Sequence, residues 1–156
     1  MPFELDNTII KLLTDGGYTG VELRGYGNFP LNNLPSTIEK LFIRDSYGFN
    51  QPLDNLPPGV KVLKVKSNTF IQSLDNLPVG LEELYLDIYG LQGLCHLPAR
   101  LKKLTLRVCH NLIKYNIILP ESLEEFSTNL KMYNSCDKDI LPKDLKKFTI
   151  LVISLI

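Results

Sequence analysis

An excess of charge of either sign is missing from this sequence. Seventeen Lys and Arg balance seventeen Asp and Glu across 156 residues. That neutrality argues against bulk attraction to nucleic acid or to an anionic membrane, so neither is expected as a partner. Long apolar runs are missing as well. The densest, "FTILVISLI" at 148–156, is about half of what a membrane-spanning helix needs. No basic stretch followed by an apolar one opens the chain at Met1-Pro2-Phe3, so no secretory leader is expected. Cysteine is scarce, with three at irregular spacing, an odd number that makes no disulfide framework. A reducing, cytoplasmic setting is the expectation. The usual phosphate-loop, dinucleotide, zinc-protease and nucleophile-elbow patterns are absent from the sequence. The chain therefore reads as a non-enzyme with no cofactor.

What is present is a period. Hydrophobic residues at 44% and charged ones at 22% suit an ordered domain with a core. The Leu of each Leu-Pro pair falls at Leu34, Leu56, Leu77, Leu97, Leu119 and Leu141, in steps of 22, 21, 20, 22 and 22 residues. Counting from that Leu, apolar residues recur at +4, +7 and +9, as in Ile38, Leu41 and Ile43 or Val60, Leu63 and Val65. The last two copies read Leu123, Phe126, Thr128 and Leu145, Phe148, Ile150. An earlier, degenerate copy is Tyr18, Val21, Leu23, and Leu31, Leu53, Leu74 and Leu94 stand at −3. The +7/+9 pair has the alternation of a short strand with one buried face. About 21 residues leave no room for a multi-turn helix in each unit, and the Pro opposes one. Each unit reads as a strand, a turn, an extended or 3₁₀ return and a second turn. Stacking such units buries the face that one alone cannot.

"VKVLKVKSNTF" (60–70) and "LKKLTLRVCHNL" (101–112) resemble the leucine-rich repeat pattern, with Asn68 and Cys109 at its Asn/Cys position. "FNQPLDNLPPGVKVLKV" (49–65) resembles more specifically the FNIP repeats, a leucine-rich-repeat-like family with units of about 22 residues. Phe70-Ile71-Gln72-Ser73-Leu74 keeps the Phe and Leu of that pattern, and later units keep the Leu-Pro and strand parts. The resemblance spans about residues 29–150. It implies a solenoid that recognises proteins, since some members serve as substrate-recognition arrays behind an F-box, and it implies an amoebal or viral origin. It also implies that Cys109 faces the interior as a small core residue.

Residues 1–17 are expected to form an N-terminal helical cap and 18–156 a single solenoid domain. In "LDNTIIKLLTDGG", Asp6 or Asn7 can cap a helix and Gly16-Gly17 can stop it, with Leu5, Ile9, Leu12 and Leu13 on one stripe. At the other end the last strand runs into "LVISLI". Either Leu151–Ile156 fold back over the final coil, or the open edge at Phe148–Ile156 pairs with a second molecule as a homodimer.

Strand residues between the core positions point outward, to the concave side. Two patterns stand out there. Glu82-Glu83, Lys102-Lys103, Glu124-Glu125 and Lys146-Lys147 alternate in sign from strand to strand, which reads as a ladder that fixes register. In contrast, Arg24, Arg44 and Lys66 stack as three successive cations at +10, with Phe42, Lys64 and Tyr85 alongside at +8. Stacked like charges oppose stability, and Arg and aromatic side chains are frequent interface anchors. The candidate partner-binding residues are Arg24, Phe42, Arg44, Lys64, Lys66, Tyr85, Asp87 and Arg107, facing a protein partner with an acidic segment. Cys95-His96 and Cys109-His110 offer four metal-ligand types, yet they lack the spacing of a zinc finger, and no metal is expected. The fold expected is a right-handed, curved parallel β-solenoid of about seven coils.

Overall fold

Each Leu-Pro pair begins a tight turn. The amide at +4 donates back to the proline carbonyl, as Ile38 does to Pro35, Val60 to Pro57, Leu81 to Pro78, Leu101 to Pro98, Leu123 to Pro120 and Leu145 to Pro142, all at 3.0–3.2 Å. The next two amides then donate together to one carbonyl of the preceding coil: Lys61 and Val62 to Glu39, Glu82 and Glu83 to Lys61, and so on to Lys146 and Lys147 on Glu124. Register is thus set before each strand starts. The computed structural model describes residues 7–25, 27–44, 48–91, 96–109, 118–129 and 141–151.

After the helix α1 (Asn7–Asp15) come β1 (Gly20–Arg24), β2 (Lys40–Arg44), β3 (Val62–Ser67), β4 (Glu83–Ile88), β5 (Lys103–Val108), β6 (Glu125–Thr128) and β7 (Lys147–Ile150). They make one seven-stranded parallel sheet in sequence order, the face of a β-solenoid. The pairing runs Gly20 to Lys40 to Val62 to Glu83 to Lys103 to Glu125 to Lys147, so every repeat position forms a straight column across the sheet. The +4, +7 and +9 residues from Ile38 to Thr128 are buried, and Leu53, Leu56, Leu74 and Leu77 close the core from the return side. Asp54, Asn55, Asp75 and Asn76 sit exposed at the outer turn.

The return segments carry a second spine. Phe49 and Phe70 are fully buried and stack with centroids 6.1 Å apart and planes 6° apart. Phe29 joins them at 5.8 Å although it stands five residues before Leu34, where Phe49 and Phe70 stand seven before Leu56 and Leu77. Gly27 permits that shift, because a Cβ there would come within 2.5 Å of the Phe29 ring. Beside the rings, asparagines tie coil to coil. Asn28 Oδ1 accepts from the Asn50 amide at 2.9 Å, and Asn50 Oδ1 from the Ile71 amide at 3.0 Å. The pair of letters Phe-Asn therefore has one member for the core and one for the backbone.

Four local expectations are corrected. Cys109 and Asn68 are exposed, because strands β3 to β5 run on to a third inward position occupied by Ser67, Ile88 and Val108, which turns the next residue outward. Buried Ser67 donates to the Phe49 carbonyl at 2.7 Å, filling the polar interior place expected of Asn68. Tyr18 does not enter the core; it is 53% exposed and lies against Gly16. Helix α1 ends as expected, with Gly17 at φ 61° and the Tyr18 amide on the Leu13 carbonyl, a Schellman closure. Among its described side chains Ile10 packs against the core, whereas Leu12 of the expected stripe is 65% exposed and does not serve as a lid. Leu5 lies outside the described residues, as do residues 152–156. On β7 the inward-pattern residues Phe148 and Ile150 are 40% and 67% exposed, since Phe126 covers Phe148 from one side.

Candidate binding face

The outward columns begin with charge. At +5 the sign alternates along six coils as Glu39, Lys61, Glu82, Lys102, Glu124 and Lys146. Three exposed ion pairs close within this row: Lys61 to Glu39 at 2.9 Å, Lys102 to Glu82 at 2.9 Å and Lys146 to Glu124 at 2.8 Å. Hydrogen bonds from the partner lysines, then their charge, hold the Glu82 and Glu124 carboxyls below the ordinary range. The reciprocal bonds hold the Lys61 and Lys146 ammoniums above theirs. Lys103 meets Glu125 at 3.3 Å in the neighbouring column. The ladder read from the last four coils is real, and it extends two coils further toward the N-terminus than that reading had it. Exposed pairs of this kind add little stability and chiefly discriminate register.

The N-terminal half of the sheet is arranged differently. Arg24, Arg44 and Lys66 occupy consecutive strands in one column, at ~4.8 Å per step. Phe42 is half-buried beneath two cations, with the Arg44 guanidinium carbon 5.4 Å and the Lys64 ammonium 5.3 Å from its centroid. The expected exposed aromatic is thus covered by its own neighbours. Arg24, Arg44, Lys64, Lys66 and Tyr85, with Ile43, line an open depression of about 350 Å³. Among the described residues its lining includes no acid. The structure so brings five of the eight candidate residues together and places Phe42 under two of them.

Asp87 and Arg107 form a separate pair at 3.7 Å on β4 and β5. Donation of a hydrogen bond from the guanidinium to the Tyr85 oxygen, then the Asp87 charge, raises the affinity of Arg107 for its proton. This pair bounds the cationic region and does not line the depression. Sequence reasoning missed Glu22. Its Oε1 takes Arg24 Nε at 2.8 Å and stands 3.4 Å from Arg44 Nε, so the two arginines share one acid. The signal was available, since Glu22 is two residues from Arg24 on the same strand face and diagonal to Arg44. Asn129, in the same +10 column as Arg24, is also used differently from its column. Its amide pairs both ways with the Val108 backbone, at 2.8 and 2.9 Å, prolonging the β5–β6 ladder.

Away from the sheet, His96 Nδ1 lies 3.0 Å from Asp75 Oδ1 on the outer surface. A bond from the Ser73 hydroxyl, then that imidazole, keeps the Asp75 carboxyl low. Cys95, His110 and Cys136 lie outside the described residues. Among the described residues no three His, Cys, Asp or Glu side chains converge on a metal position. Among them, too, no helix is long and apolar enough to cross a membrane. No family model matches the chain, and no curated protein matches it.

Proposed function

We propose that the protein is a non-catalytic recognition module that binds an acidic segment of a partner protein on the N-terminal half of its concave face. The depression carries this reading. Four cations and a tyrosine line it, with Glu22 reaching two of them from the side, whereas the +5 row pairs opposite charges and the later strands do so at +6 and +10. A surface built for stability alone would alternate there too. Membership of the FNIP-repeat family, and with it a cytoplasmic setting in an amoebal or viral context, belongs to the same proposal. It is supported by the structural use of Phe49 and Asn50, the two letters that distinguish that pattern.

Affinity capture from cytosol with the wild type and with a Phe42→Ala/Arg44→Ala variant tests it. The variant should keep its fold, because neither side chain belongs to the buried core, and should lose the captured partner. Capture of the same partners by both proteins would refute the reading. A second reading is self-association through β7, favoured by the exposure of Phe148 and Ile150 on the pattern's inward side. Light scattering across a concentration series tests it: a dimer that a Phe148→Glu/Ile150→Lys variant abolishes supports assembly, and a monomer throughout removes it.

A further inference from the structure

The arginine pair already holds one carboxylate, and that carboxylate is the protein's own. Glu22 Oε1 receives Arg24 Nε at 2.8 Å and Arg24 Nη2 at 2.8 Å, and it stands 3.4 Å from Arg44 Nε. An oxygen seated between two guanidiniums is the arrangement an incoming oxyanion would adopt. Beyond Glu22, the depression also presents Lys64 and Lys66 on β3, with Tyr85 on β4. Lys66 has Asp87 opposite it in register, and Asp87 also reaches Arg107 at 3.7 Å, which marks the acidic limit of the site.

We infer that this depression receives a phosphorylated side chain of the partner protein, and that Glu22 is an internal competitor for the phosphate. The inference rests on the recognition reading above and names its ligand. A ligand carboxylate brings one charge and would merely exchange with Glu22. A phosphate brings about −1.5 to −2 charges and three acceptor oxygens, which suits two guanidinium forks and two ammoniums together. Phe42 supports the choice, because it fixes the Arg44 and Lys64 heads over its ring before any ligand arrives. A volume of about 350 Å³ admits a side chain and its flanking backbone and is small for a large cofactor. The local excess of cations is also no by-product of a basic protein, since the chain is neutral overall.

Calorimetric titration with short peptides of one sequence, carrying phosphoserine, phosphotyrosine or glutamate at the centre, tests this. A phosphopeptide should bind about tenfold tighter than the glutamate peptide, and Arg44→Ala should weaken it by about the same factor. Glu22→Gln keeps the shape of the side chain and should tighten phosphopeptide binding by about threefold. A Lys11→Ala control, on α1, should change nothing. Equal binding of phosphorylated and glutamate peptides overturns the inference, as does a Glu22→Gln variant with no gain. Tighter binding to vesicles containing phosphoinositide than to either phosphopeptide overturns it in favour of a membrane. Capture from lysate separates this inference from the broader one. If phosphatase-treated lysate still yields partners that depend on Arg44, recognition stands and the phosphate does not; if no partner depends on Arg44 in either lysate, both fall.

Discussion

The two halves of the concave face share one backbone and differ in how their charges meet. From β4 onward, outward charges find opposites on the next strand, as Lys103 does in Glu125 and Arg107 in Asp87. From β1 to β3 the +10 column repeats one sign, and its two arginines share an acid drawn in diagonally from Glu22. The row at +5 alternates through both halves without interruption. Scaffold requirements are therefore met at the strand starts and in the interior, which leaves +8 and +10 free to depart from stability. Where they depart is where a partner is expected.

The interiors of the two halves differ as well, and the largest predicted effect tests that. Phe49→Ala should cost about 3–5 kcal/mol in urea unfolding, because it empties a closed site between two rings. Phe148→Ala should cost about 1 kcal/mol, since its ring is already 40% exposed. Equal losses would erase the contrast between a sealed and a frayed end. Next in size, Asn50→Ala should cost about 1 kcal/mol by removing the oxygen that accepts from the Ile71 amide and the Gln72 side chain. The matching change in the other half, Asn129→Ala, should cost about the same by freeing two groups of Val108.

Smaller shifts distinguish the charge patterns. Glu124→Lys would line up three lysines with Lys102 and Lys146, so its melting temperature should fall at low salt and recover as salt is added. Arg44→Gln, by contrast, relieves stacked cations and should leave the melting temperature unchanged or slightly higher. A fall as large as that of Glu124→Lys would mean that the cationic column is structural. The smallest effect is in acid. Glu82 and Glu124 have folded pKa values lowered from 4.5, so their contribution is complete above that value and is lost as pH falls through the folded ones. A Glu82→Gln/Glu124→Gln variant should accordingly show a flatter decline of urea midpoint below about pH 4.5 than the wild type.

The strands, their register and nearly all of the core were legible because Leu-Pro recurs at a fixed distance from a period-two pattern, and both are local. The orientation of Cys109 was not, because it depends on whether a strand ends at +9 or continues to +11. Ser67, Ile88 and Val108 decide that by being buried. Phe29 was hidden by its two-residue offset, which a glycine makes room for. Of the site, the columns could be read off the repeat, and so the eight candidates were placed on one face. Which of them converge could not, because side-chain reach runs diagonally as well as along a column. Glu22 is the residue that this diagonal reach conceals.

The alternating row at +5 gives the array a parity. Removing or adding one coil would set Glu beside Glu or Lys beside Lys along the seam, whereas removing or adding two would leave every neighbour opposite. Length can therefore change smoothly in steps of two coils. The two coils that share the phrase Leu-Asp-Asn-Leu-Pro obey this rule, with Lys61 following the first and Glu82 the second. Whatever made their turns identical, adjacency in the stack required that this one position differ.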